Sequence, residues 1–153
     1  MNLVIFFSVE DRGDGHLIVV PPTVPTARIV EHLYRDLPAE LRVHNHTYSE
    51  PARIQLRVAI NVGPVTGDAF GMEGDTINRT ARLIEAPAIK GPMASTGANL
   101  GIIASTFVYE TAIRDEEMDS VGEYKMVRVR VKEYNAFAWL RLIDLALSPA
   151  RDA

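Results

Sequence analysis

The chain has 153 residues, is 47% hydrophobic and 24% charged, and carries a formal net charge of −4. That is the length of one domain, enough to bury a core without disulfide or metal staples. The hydrophobic fraction excludes a disordered chain, zero cysteines exclude a disulfide scaffold, a thiolate zinc site and a cysteine nucleophile, and the mild acidity argues against a general nucleic-acid surface.

The chain opens on the apolar run Leu3-Val4-Ile5-Phe6-Phe7. It has no basic residues before it and is too short for a signal-peptide core or a membrane span. No other run is long enough to cross a bilayer, so the expectation is a soluble, cytoplasmic protein with no membrane partner. Leu3 to Val9, rich in β-branched and aromatic residues, predicts a buried strand. Arg12-Gly13-Asp14-Gly15 carries an Asp-Gly hairpin signal, and Leu17 to Val20 predicts the returning strand, stopped by Pro21-Pro22. Val30, Leu33, Tyr34, Leu37 and Leu41 recur at helical spacing and predict an amphipathic helix from about Thr26 to His44. Pro38 inside it predicts a kink or a break.

Ile54, Leu56, Val58 and Ile60 alternate with Gln55, Arg57, Ala59 and Asn61, the pattern of a strand with one buried face. Gly63-Pro64 and Gly67-Asp68 mark a loop or hairpin. Asp75 is a plausible N-cap for a helix carrying Ile77, Ala81 and Ile84, which Pro87 ends or interrupts. Gly91 to Asn99 reads as a small-residue loop. Leu100 to Ala104 predicts a short strand, and Ser105-Thr106 caps a helix running to about Arg114. Asp115 to Ser120 is an acidic loop. Tyr124 to Lys132 alternates, with Met126 opposite Val127, Val129 and Val131, and Ala136 to Ile143 closes as a strand or a helix. The expected architecture is α/β or α+β with a largely antiparallel sheet. One domain spans residues 1–147, and 148–153 form a frayed tail.

Leu56 to Val65, followed by Gly74-Asp75-Thr76-Ile77-Asn78-Arg79-Thr80-Ala81-Arg82-Leu83, resembles the class III adenylate/guanylate cyclase catalytic domain. The family pattern there is a strand ending GIHxGxV, then GDxVNxAxRL. Arg12-Gly13-Asp14-Gly15 resembles the family's GDG hairpin, and Glu10 to Gly15 looks closest to a divergent actinobacterial subset of cyclase-like proteins. The resemblance implies a ferredoxin-like core and two domains paired head to tail, with the active site at their interface. It also implies cyclisation of a nucleoside triphosphate by attack of the 3′-hydroxyl on the α-phosphate. Two magnesium or manganese ions held by two Asp residues would assist that step.

By that resemblance Asp14 matches the second metal Asp. Asn78 and Arg82 match the transition-state pair, and their i, i+4 spacing puts them on one helix face. Lys132 falls where the family's phosphate Lys falls, without its flanking glycines. The base-reading positions depart: Glu10 stands for a Lys, Gly71 for an Asp and Glu73 for a Trp. The first metal Asp belongs to the family's opening strand, and here the chain begins only a few residues before the hairpin. Aligning Val4 to Glu10 with that strand instead puts Ser8 at the metal position. Either register removes the carboxylate, and Asp14 alone cannot build a two-metal clamp.

The opening strand is therefore expected to be missing or replaced. A gap in mid-sheet would leave rows of unpaired backbone groups at about 1–3 kcal/mol each. A strand from a second copy, a rearranged strand order or an upstream segment could fill it. Other signals are weaker. His44 and His46 lack a third metal ligand, and the Arg12-Gly13-Asp14 tripeptide and two glycosylation sequons have no context. No phosphate loop or Rossmann fingerprint is present.

The functional expectation is a divergent cyclase-homology domain without independent cyclase activity. It would be a dimerising or nucleotide-binding regulatory module, a homodimer or a heterodimer with another cyclase-type domain, with a nucleoside triphosphate as ligand. One alternative is an active nucleotidyl cyclase completed by a partner and using magnesium or manganese. Another is a structural interaction domain with relic motifs.

Overall fold

The computed structural model describes residues 1–9, 15–47, 54–68, 71–114 and 123–145. The acidic loop and the expected frayed tail lie outside the described residues, as do Glu10 and Asp14. The chain begins with a hairpin, β1 (Asn2–Val9) and β2 (Gly15–Val20), followed by a long helix, α1 (Thr26–Thr47). Next come β3 (Leu56–Gly63), a small separate hairpin of β4 (Thr66–Asp68) and β5 (Gly71–Glu73), and two consecutive helices, α2 (Asp75–Glu85) and α3 (Pro87–Thr96). Strand β6 (Leu100–Ser105) runs into a short helix, α4 (Thr106–Val108), continued by a π-helical turn over Tyr109–Ile113. The hairpin β7 (Lys125–Val131) and β8 (Tyr134–Ile143) completes the sheet.

Six strands form one sheet in the order β2-β1-β3-β6-β8-β7. Only β3 and β6 pair in parallel; the other four pairings are antiparallel. The sheet is continuous. Strand β1 pairs with β2 on one side and with β3 on the other, Ser8 standing opposite both Gly15 and Arg57. The place beside β3 is thus filled by the chain's own first strand, and a strand donated by a second copy has no gap to enter there.

Helices cover both faces. Leu3, Ile5, Val58, Ile60 and Ile102 meet α1 and the turn after α4 on one face. Ala59, Ile103, Val129 and Ala138 meet α2 and α3 on the other. This corrects the expectation of a half-buried β3. Arg57, Ala59 and Asn61 are buried as well, because α2 and α3 cover the face they occupy.

Three further expectations are corrected. Of the kink or break expected at Pro38, the break does not occur: helix α1 runs through it, held by Val30 and Leu41 in the core on either side of the missing N–H. Helix α2 is capped by Gly74, with φ of 137°, and Asp75 is its first residue, where a carboxylate still suits the helix dipole. Residues 91–96 are not loop but the second half of α3, although Gly91 and Pro92 disfavour a helix. Ile89 and Met93 pack into the space that Gly101 leaves on β6, and Gly97 ends the helix in the left-handed conformation. The Ala136 to Ile143 segment is strand. Among the described residues no helix is long and apolar enough to cross a membrane.

Candidate functional site

The Gly63-Pro64 bend turns the chain from the end of β3 toward α2. Gly63 lets α2 approach closely, and Thr76 on its first turn donates a 2.7 Å hydrogen bond to the Pro64 carbonyl. Leu83 and Ile84, fully buried, clamp the other side of the helix to the sheet. Asn78, Arg79 and Arg82 are left on the face that turns from the core.

These side chains line a cleft of about 540 Å³. Asn61 and Val62 of β3 form its floor, Asp75 stands at the start of α2, and Glu133, Tyr134 and Asn135 close it from the β7–β8 turn. The expected pair Asn78 and Arg82 is thus brought together in one cavity. Arg82 is 26% exposed and faces Glu133 at 3.8 Å, and its buried Nε has no hydrogen-bond partner among the described residues. Arg79 makes no ion pair among the described residues, so the Asp75–Arg79 pair that their spacing allows does not form. Asn135 accepts a 3.0 Å hydrogen bond from Arg128 Nε, which fixes its amide. Burial pushes the Tyr134 phenol above its ordinary range, against the pull of Arg79, so the hydroxyl stays a hydrogen-bond donor at neutral pH.

Other expected site residues stand apart from the cleft. Lys132 is exposed on the β7–β8 turn and does not line it. It is the first of two residues in that turn and has φ of 52°, a conformation that favours glycine. Lys132→Gly is expected to stabilise the fold by about 1 kcal/mol, because a left-handed L-residue carries about that strain. A melting-temperature rise checks this; a fall would show that the lysine side chain makes contacts worth more than the strain. Gly71 begins β5, exposed, with φ of 145°. An Asp there, as in the family's base-reading position, would be strained.

The opposite end of β3 has a different character. Arg57, only 5% exposed, donates a 3.1 Å hydrogen bond from Nη2 to Ser8 Oγ. Arg57 and Asn61 stand four positions apart on β3, about 13 Å of strand. A hydroxyl and a guanidinium form a poor donor set for a divalent cation, which takes carboxylate and carbonyl oxygens. No group of three His, Cys, Asp or Glu among the described residues could hold a metal ion. His44 and His46 lie two apart on α1, and His32 pairs with Asp36 at 3.0 Å.

Sequence comparison is silent: no protein-family model matches the chain, and no curated protein matches it significantly. Structure comparison is not. An adenylate/guanylate cyclase/hydrolase from Silicibacter pomeroyi superposes with a TM-score of 0.59 at 15% identity, covering 94% of this chain and 96% of that one. The fold is that of a class III nucleotidyl cyclase catalytic domain. The catalytic core of a rhodopsin-guanylyl cyclase with converted specificity, in complex with ATPαS, superposes with a TM-score of 0.56 at 17% identity. That match covers 94% of each chain.

Sequence reasoning missed Asn61, Arg79, Tyr134, Asn135 and Arg57. Asn61 stands at the histidine of the family's GIHxG strand, which was a usable signal. Arg79 fills an unspecified position of the GDxVNxAxRL pattern. Tyr134 and Asn135 reach the cleft only because β8 and β7 close the sheet edge beside α2, a juxtaposition that local sequence does not carry.

Proposed function

We propose that this cyclase-fold domain binds a nucleotide in the α2 cleft without cyclising it on its own, and serves as a dimerising, nucleotide-responsive regulatory module. The observation that carries the reading is the hydrogen bond from buried Arg57 to Ser8: with Val4 to Glu10 aligned to the family's opening strand, Ser8 stands where the family holds its first metal carboxylate, and a guanidinium lies beside it. Binding is supported by the cleft itself, which collects two guanidiniums, three amides and a phenol. Guanidiniums pair with phosphate oxygens through charge-assisted, forked hydrogen bonds. Dimerisation is supported by the separation of the two half-sites along β3. A head-to-tail pair would set one chain's cleft against its partner's hairpin end.

Purified protein melted with and without saturating nucleotide tests the binding. A ligand at a hundredfold its dissociation constant adds about 2.7 kcal/mol of stability by mass action. Arg82→Ala is expected to remove that shift with little effect on the unliganded melting temperature, since Arg82 contributes only a long, partly exposed ion pair. No shift with any nucleotide would favour the structural-domain alternative.

A second reading is supported by the convergence of Asn78 and Arg82 on one cavity. A partner cyclase-type domain that brought both metal carboxylates, with magnesium or manganese, would use this pair and give a heterodimeric nucleotidyl cyclase. Activity of such a mixture that disappears with Arg82→Ala would establish it.

A further inference from the structure

The nucleotide-binding reading leaves open which nucleotide, and the charges of the cleft bear on that choice. Two guanidiniums, Arg79 and Arg82, face two carboxylates, Asp75 and Glu133, so the lining is electrically balanced. A triphosphate brings several negative charges and normally shares them with a divalent cation. Among the described residues nothing assembles such a cation site. Without one, the outer phosphates would meet the Glu133 carboxylate, which is 77% exposed and already set 3.8 Å from Arg82. Like charges brought together there repel, by about 1 kcal/mol at contact distance for a solvent-exposed carboxylate.

A ligand with one negative charge faces no such conflict. Among the described residues Arg79 has no ion-pair partner, and Arg82 has only the 3.8 Å contact of its Nη2 with Glu133. The two lie one helical turn apart, and together they offer donors for one phosphoryl group. The amides of Asn61, Asn78 and Asn135 and the Tyr134 hydroxyl remain for the uncharged sugar and base. The cavity volume of about 540 Å³ falls within the usual range for a ligand of that size.

We infer that the cleft takes a nucleotide carrying a single phosphodiester charge, of the 3′,5′-cyclic nucleoside monophosphate class, in preference to the corresponding triphosphate. The inference rests on the nucleotide-binding reading. Glu133 is then the specificity determinant: it tolerates one phosphate at the arginines and turns away a chain of them.

Calorimetric titration of the full chain in EDTA, with the cyclic monophosphates of adenosine, guanosine, cytidine and uridine and their four triphosphates, tests it. At least one cyclic nucleotide is expected to bind about tenfold more tightly than its triphosphate, and Arg79→Ala to weaken that binding by about tenfold. Glu133→Gln keeps the side chain's shape, and its exposed position leaves folding intact. It is expected to narrow the preference at least about threefold, by tightening the triphosphate rather than weakening the cyclic nucleotide. A triphosphate that binds wild type as tightly as its cyclic form overturns the inference and leaves nucleotide binding standing. A preference unchanged in Glu133→Gln overturns the role given to that residue. Failure of all eight ligands to bind removes the nucleotide-binding reading and this inference with it.

Discussion

Leu83→Ala is expected to destabilise the domain by about 2–5 kcal/mol. Leu83 is fully buried between α2 and the sheet face that carries Ala59, Ile103 and Ala138. Removing its side chain loses the transfer free energy of the deleted carbons and leaves a cavity that Ile84 and Ile89, themselves fully buried, cannot refill. Against a total stability of roughly 5–15 kcal/mol, that is a large share. The same helix carries Asn78, Arg79 and Arg82, so nucleotide affinity should fall together with stability. Urea denaturation checks this: the midpoint should drop sharply with the slope unchanged. A loss below about 1 kcal/mol would mean that α2 is not seated on the sheet as described.

Gly63→Ala carries the second large effect. A methyl group at this position would collide with Thr76 Oγ1 and lie 2.9 Å from Thr76 Cγ2. Thr76 cannot swing aside freely, because it is buried and its hydroxyl holds the Pro64 carbonyl at 2.7 Å. Overpacking of this kind costs about 1–3 kcal/mol. The lost hydrogen bond adds about 1 kcal/mol. The displaced first turn of α2 would carry Asp75, Asn78 and Arg79 away from Asn61. Combining it with Thr76→Ala should recover part of the loss, since the two sites share one contact and their effects cannot add. A strictly additive double variant would show that the Gly63–Thr76 approach does not set the position of α2.

Much of this architecture was legible in the sequence, and the failures have common causes. A β-branched and aromatic run located β1, and alternation located β3 and β7, because period-2 patterning survives where a strand crosses a packed layer. It underestimated β3, where an arginine and an asparagine mark a second buried face rather than a solvated one. The Asn61 amide oxygen accepts from the adjacent Val62 N–H, and the Arg57 guanidinium donates to Ser8, a partner not visible until the strands are paired. Helix α3 was misread because Gly91 and Pro92 outweigh the few apolar residues around them locally. Its stability comes from Ile89 and Met93 meeting β6, which is a tertiary fact.

The site followed the same division. Asn78 and Arg82 could be named from the family motif they match, and their i, i+4 spacing puts both on one helix face. Their acidic neighbour Glu133 could not, because it reaches Arg82 across 51 residues of chain through the closing hairpin. The opening strand shows the limit most clearly. Whether Val4 to Glu10 stands beside the central strands could not be read from local sequence; the pairing of β1 with both β2 and β3 shows where Asn2–Val9 lies. Strand β1 stands beside β3 with Ser8 opposite Arg57, so a guanidinium fills the ground between them.

Product analysis tests the central claim most directly. The purified chain would be incubated with manganese and each of ATP, GTP, CTP and UTP, and cyclic nucleotide and pyrophosphate measured together. The account predicts neither product above a protein-free control. Stoichiometric cyclic nucleotide and pyrophosphate from the chain alone, lost in Arg82→Ala, would contradict it.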